Sequence, residues 1–80
     1  YGKSRMVEKF AVYINKKINK NKKYKLMIAH ANAKIKGDKL SKLIIASNPN
    51  IINNFVLELG GALGAHAGPG ALVVGIQEID

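Results

Sequence analysis

Apolar residues recur along the chain at two different spacings, and the switch between the spacings predicts the order of its elements. Over residues 5–19 they fall every three or four positions, which predicts an amphipathic helix with Ser4 as its N-cap. Residues 24–30 predict a short strand that becomes fully buried towards its end. A turn rich in lysine and asparagine separates the two elements.

The second half of the chain predicts another helix and two more strands. Asn32 is the expected cap of this helix, Gly37 costs it about 1 kcal/mol relative to alanine, and the residues before Pro49 end it. Residues 51–58 and 71–79 predict strands, the last with an uninterrupted apolar start. The fold class is therefore α/β or α+β, a two-layer domain with a small sheet covered by two helices.

The helices leave part of the predicted sheet uncovered. Two helices can cover only one face of three strands, yet residues 43–80 are mostly apolar. We expect the other face, or the glycine-rich stretch, to be covered by a second domain or by another copy of the chain. Self-association through an apolar face is therefore one of the functions that stay open.

Glycine is concentrated in one stretch, residues 60–71. It holds five of the chain's eight glycines around His66, and every non-glycine neighbour of that histidine is Ala, Leu or Pro. Flexible linkers are polar, so this apolar stretch is expected to be buried, with something approaching its backbone closely.

Charge is distributed unevenly between the two halves of the chain. All 13 basic residues lie at positions 3–42 with two acids, giving +11, while positions 43–80 carry three acids and no base, giving −3. The basic half favours either a solvated helical surface or a nucleic-acid interface. Gly61 and Gly64 match the Gly-x-x-Gly spacing of KH domains, which bind a nucleic-acid backbone, although that loop joins two helices and this one follows a predicted strand.

Several classes of protein fit the sequence poorly. There is no cysteine, no leader pattern and no apolar run free of glycine that could span a bilayer, so a cytoplasmic location is expected. We find no nucleophile paired with a base, no metal-ligand spacing and no phosphate-binding motif. The chain is therefore predicted not to be an enzyme and to hold neither metal nor cofactor.

The glycine-rich stretch nevertheless offers a set of backbone N–H groups around one imidazole. Such groups can form an anion-binding nest, and nearby leucines suit an apolar ligand with one acidic end. The alternative is that His66 is a capping or core histidine and the glycines only permit a tight crossover. The candidate carboxylate-binding residues are Gly64, Ala65, His66, Ala67 and Gly68, and the candidate acyl-pocket residues are Leu63 and Leu72.

Residues 58–72, with Gly-Gly-Ala-Leu-Gly-Ala-His-Ala-Gly-Pro-Gly-Ala at their centre, resemble the closing motif of the DegV family of bacterial fatty-acid-binding proteins. The resemblance continues upstream, through residues 2–5 before the first helix and residues 28–32 before the second. It covers nearly all 80 residues. Because whole family members have two domains, it implies that residues 1–80 are one domain, the C-terminal part of such a protein.

The resemblance also implies a function. A long-chain fatty acid would lie between this domain and a missing N-terminal domain, with His66 holding its carboxylate, and in some relatives a fatty-acid kinase phosphorylates the bound acid. Arg5 matches a family arginine that would contact the kinase or a phosphate. Where relatives often carry threonines beside the histidine, this chain has Ala65 and Ala67, and each hydrogen bond lost to a charged group costs roughly 1.5–3 kcal/mol.

Overall fold

The computed structural model describes the backbone of residues 3–61, 68 and 70–79, and the side chains within these ranges from residue 6 onwards. The described elements are helix α1 (Lys3–Lys17), strand β1 (Lys23–His30), helix α2 (Lys34–Ser47), strand β2 (Ile51–Glu58) and strand β3 (Leu72–Ile79). This order confirms the one that the hydrophobic pattern predicts.

The strands form one mixed sheet with the order β2-β1-β3. Strand β1 runs parallel to β2 and antiparallel to β3. The parallel pair is joined by α2, since a parallel connection needs a crossover that a tight hairpin cannot provide. The arrangement is α+β, which resolves the two fold classes left open by the sequence.

Both predicted helix caps are wrong. Helix α1 begins at Lys3, so Ser4 lies inside its first turn. The N-cap of α2 is Ala33, which makes no side-chain capping hydrogen bond, and Asn32 instead adopts a positive φ of 51°. Asparagine tolerates this left-handed conformation better than most residues, so Asn32 supplies the bend between β1 and α2.

The core lies between the two helices and one face of the sheet. Leu26 and Ile28 are fully buried at alternate positions of β1, and Leu40 and Ile44 of α2 are fully buried four residues apart. These spacings place each pair on one face of its element. Burying one such side chain stabilises the fold by about 1.5–3 kcal/mol.

The opposite face of the sheet, here called the outer face, is less covered. Register places Met27 beside Phe55 of β2 and Gly75 of β3, so all three lie on the same face. Phe55, Leu57 and Val73 are exposed there, and Lys25 Nζ lies 5.8 Å from the centre of the Phe55 ring. What covers this face in a larger assembly stays a prediction.

Candidate functional site

One end of the sheet gathers the segments that the sequence singles out. The carboxyl ends of β1 and β2 meet there, and β3 starts there because it runs antiparallel to β1. The Leu59 N–H donates to the His30 carbonyl at 2.7 Å, and the Gly70 N–H donates to the Ala31 carbonyl at 2.7 Å. Both ends of the glycine-rich stretch are thus fixed to two consecutive residues at the end of β1.

His30 is the buried titratable side chain at this end of the sheet. It is 5% exposed, and its Nδ1 accepts a hydrogen bond from the Ala33 N–H at 3.1 Å. This bond takes up one of the free N–H groups at the start of α2, a function that the sequence assigned to Asn32.

A cavity of about 560 Å³ opens at the start of α2. Its polar and charged lining comes from His30, Asn32, Lys34, Lys36 and Glu58, and Gly70 contributes backbone. The first intrahelical hydrogen bond of α2 runs from the Gly37 N–H to the Ala33 carbonyl at 2.9 Å. The N–H groups of residues 34–36 precede this bond and have no carbonyl acceptor within the helix. The first turn also contains no acidic residue.

A second cavity, about 220 Å³, lies next to the first. Its wall is mostly apolar, and two residues, Lys36 and Gly70, line both cavities. A Cβ added to Gly70 would lie 3.9 Å from Lys36 Nζ, which places the ammonium group close to the backbone at this boundary. The apolar side chains come from α1, from the first residue of β3 and from the residue before it: Met6, Val7, Phe10, Leu72 and Ala71.

Most of the residues predicted to bind a carboxylate lie outside the described residues. These are Gly64, Ala65, His66 and Ala67, together with Leu63 of the predicted acyl pocket. Gly68 is described, with φ of 85° and its carbonyl accepting from the Ala71 N–H at 3.3 Å. Leu72 lines the apolar cavity, and Arg5 lies in the first turns of α1, where only its backbone is described. Their ligand-binding functions stay predictions.

His30 and Lys36 line this site but do not stand out in the sequence, which predicts His30 to end a strand and Lys36 to be a solvated helix residue. The available signal was the position of His30 three residues before Ala33, at the junction of a buried strand and a helix. That signal is weak in the sequence, because only the strand register places the end of β2 and the start of β3 beside His30.

Part of the basic surface is engaged in ion pairs. Lys34 Nζ lies 2.9 Å from Asp38 Oδ2, Lys39 Nζ 3.0 Å from Glu8 Oε2, and Lys22 Nζ 3.1 Å from Glu78 Oε2. All three are solvent-accessible pairs, which typically contribute about 0–1 kcal/mol each. Lys36 has no ion pair within the described part of the chain.

Metal-ligand clusters and membrane-spanning helices are both absent from the described residues. No group of three or more His, Cys, Asp or Glu side chains is placed to hold a metal ion among them. Within the same residues, no helix is long and apolar enough to cross a membrane.

The fold and this end of the sheet define a class of protein: an α+β domain with a mostly apolar cavity and a polar, charged cavity side by side, next to a glycine-rich stretch. A family model described as "Uncharacterised protein, DegV family" matches residues 1–78, and the chain belongs to this family. The resemblance seen in the sequence is thereby confirmed. No curated protein matches the chain. No solved structure matches it either.

Proposed function

We propose that this chain is a lipid-binding domain that forms part of the site for a long-chain fatty acid. The observation that carries the proposal is the pair of adjoining cavities at the ends of the glycine-rich stretch, one mostly apolar and one lined by polar and charged residues that include two lysines and Glu58. An amphipathic acid has the same division into an apolar tail and a charged head. Membership of the DegV family, associated with fatty-acid binding, supports the same function.

The size of the apolar cavity supports a site to which this chain supplies only one part. Pockets for small ligands commonly occupy about 300–1,000 Å³. At about 220 Å³, the apolar cavity falls below that range and would hold only a portion of a long acyl chain. We therefore propose that a separate N-terminal domain closes the rest of the tunnel, and that the chain is the C-terminal part of a two-domain protein.

The remaining parts of the proposal concern partners and location. The protein binds its ligand without transforming it, needs no metal or cofactor, and presents the bound acid to a fatty-acid kinase in the cytoplasm. Arg5, in the first turns of α1, is the proposed contact for that kinase. Pull-down of the purified kinase by the wild-type protein, with loss of binding in Arg5→Ala, is the expected result.

The test of the ligand site is a fatty-acid binding titration in the full protein. We expect His66→Ala to weaken binding about tenfold or more, because a hydrogen bond to a charged carboxylate contributes roughly 1.5–3 kcal/mol. His66→Gln, which keeps a donor, should retain more affinity. Unchanged affinity in His66→Ala, with an intact fold by circular dichroism, would remove the carboxylate function from this residue.

A second variant tests the apolar cavity independently. Leu72→Ala should weaken fatty-acid binding because Leu72 lines that cavity. Val12→Ala is the matched control, since Val12 is exposed on α1 and lines neither cavity. Equal effects of the two substitutions would contradict the assignment of the cavity to the acyl chain.

Nucleic-acid binding through the basic half is the alternative. Gly61, at the start of the predicted Gly61–Gly64 turn, has φ of 53°, and Gly64 lies outside the described residues. The alternative predicts RNA or DNA affinity that falls steeply as salt increases. A flat salt titration, or no binding at low salt, would discard it.

A further inference from the structure

We infer that the free edge of β3 is an interface between two copies of this chain. In the dimer, β3 pairs antiparallel with β3 of the second copy about a twofold axis, which extends the sheet to the order β2-β1-β3-β3-β1-β2. The inference goes beyond the proposed function, because residues 74–78, which form most of the pairing, line neither of the two cavities assigned to the ligand.

The first argument is the set of backbone groups that β3 leaves unpaired. The Ala31 N–H donates to the Ala71 carbonyl at 3.0 Å, so these residues form a hydrogen-bonded pair that continues the register of β1 and β3. Hydrogen-bonded and non-hydrogen-bonded pairs alternate along an antiparallel ladder, so residues 73, 75 and 77 bond to β1. The N–H and carbonyl groups of residues 72, 74, 76 and 78 therefore point away from β1, where no described strand pairs with them.

The second argument is the composition of β3. Lysine, proline and β-bulges commonly block unwanted pairing at sheet edges. Strand β3 reads Leu-Val-Val-Gly-Ile-Gln-Glu-Ile and keeps one register along β1, so it has none of these features. The other edge strand, β2, has a register shift near its start, and Asn54 and Glu58 are exposed at its core-facing positions. Strand β2 thus carries the protection that β3 lacks.

The third argument is the apolar surface beside this edge. Val74 and Ile76 pack against the core but are only partly buried. Tyr13 of α1 is 57% exposed. It lies on the side of α1 away from α2, since the opposite side contacts α2 through the ion pair of Glu8 and Lys39. A strand added to β3 beneath this side of α1 would cover the remaining apolar surface.

The occupant is a second copy because β3 is complementary to itself. Residues opposite each other in an antiparallel pair share a face, and a twofold axis at Gly75 places Val74 opposite Ile76 of the second copy. Both residues direct their backbone groups to the free edge, so this pair is hydrogen-bonded. The one charged residue of β3, Glu78, then lies opposite Leu72, so like charges do not meet.

A cross-link specific to this register is the sharpest test, since the chain contains no cysteine. The axis places Gly75 opposite itself in a non-hydrogen-bonded pair, with Cα atoms about 4.5 Å apart, within the range of a disulfide. The nearest described atom to an added Cβ is Met27 Cε at 3.4 Å, the end of a flexible side chain, so Gly75→Cys should fold. We expect Gly75→Cys to form a disulfide-linked dimer on mild oxidation.

Gln77→Cys is the matched control for the cross-link. Gln77 lies on the same face of β3, two residues from the axis, and is opposite Val73 rather than itself in the dimer. Its cross-linked fraction should be at least fivefold lower than that of Gly75→Cys. Combining Val73→Cys with Gln77→Cys in one chain should restore the cross-link, because the two thiols then face each other.

Size-exclusion chromatography with light scattering measures the dimer without a cross-link. The wild-type 80-residue chain should elute with twice the monomer mass. Tyr13→Lys should weaken dimerisation about fivefold or more, because it places a charge beside the apolar edge. Val12→Lys, at an exposed position on another side of the same helix, should leave the dissociation constant unchanged. Circular dichroism checks that both variants fold.

Three results would overturn the inference: a monomeric wild-type chain at millimolar concentration, equal cross-linking of Gly75→Cys and Gln77→Cys, or equal dissociation constants for Tyr13→Lys and Val12→Lys. A dimer that Gly75→Cys does not cross-link would place the contact on another surface, such as the outer face, and also overturns it. None of these results affects fatty-acid binding, which its own titration tests.

Discussion

At the scale of the residue, Asn48 joins three parts of the fold through one fully buried side chain. Its Nδ2 donates to Asn15 Oδ1 at 2.6 Å and to the Ile44 carbonyl at 2.8 Å, and its Oδ1 accepts from Lys20 Nζ. The contacts therefore link α1, the turn after it and the end of α2. From the sequence, Asn48 is predicted only to be part of the segment that ends α2.

Replacing this side chain tests how much the junction contributes to stability. Asn48→Ala should lower the free energy of unfolding by about 2–3 kcal/mol, because the buried Ile44 carbonyl and the half-buried Asn15 side chain would lose hydrogen bonds. Asn53→Ala, at an exposed position of β2, is the control and should change it by less than about 0.5 kcal/mol. Urea denaturation measures both, and equal midpoints would contradict the structural importance of Asn48.

At the scale of the element, Gly37 sets how closely α2 approaches the sheet. A Cβ at this position would lie 3.3 Å from Val56 Cγ1 and 3.5 Å from His30 Cδ2. Glycine at this position destabilises the helix by about 1 kcal/mol relative to alanine, but it allows α2 to pack closely on β1 and β2. This packing also holds His30 against the start of α2.

Substitution of Gly37 tests whether the close packing of α2 on the sheet requires a residue without a side chain. Gly37→Leu is expected to lower the free energy of unfolding by about 1–3 kcal/mol, because the added atoms meet Val56 and the His30 ring. Ala46→Leu, at an exposed position of the same helix, is the matched control and should have little effect. Thermal denaturation of the two variants tests this, and similar melting temperatures would contradict it.

The elements could be predicted from the sequence, but their junctions could not. Apolar periodicity depends on local spacing, so the order of two helices and three strands follows from it. The caps depend on tertiary contacts: Asn32 was predicted to cap α2, yet His30 bonds to the Ala33 N–H because the end of β1 lies beneath that helix.

The candidate site was predictable only in part, for a related reason. The glycine-rich stretch and Leu72 stand out by composition, and Leu72 does line a cavity. Lys36 and Met6 come from different helices and meet Leu72 only after the chain folds. Such a combination depends on strand register and helix packing, which leave no local pattern in the sequence.

At the scale of the whole molecule, the two faces of the sheet differ in burial. Val74 packs against the core, while Val73, the preceding residue of β3, is 48% exposed on the outer face. Successive strand residues point to opposite faces, so Val73 and Val74 show the burial of the two faces at neighbouring positions. Phe55 and Leu57 add apolar surface on the outer face.

This difference predicts unequal costs for the same substitution. Val74→Thr should lower the free energy of unfolding by about 1–2 kcal/mol by placing a hydroxyl against the core. Val73→Thr should change it by less than about 0.5 kcal/mol in the 80-residue chain. Guanidinium denaturation compares the two, and a large cost for Val73→Thr would show that the outer face is already covered, for instance by another copy.

The attachment of the glycine-rich stretch has a consequence for evolution. Because Leu59 and Gly70 bond to the carbonyls of His30 and Ala31, the stretch departs from and returns to neighbouring points of the framework. Doubling the length of such a closed segment costs only about 0.6 kcal/mol of chain entropy. Evolution can therefore lengthen this segment at little cost in chain entropy while the sheet register stays unchanged.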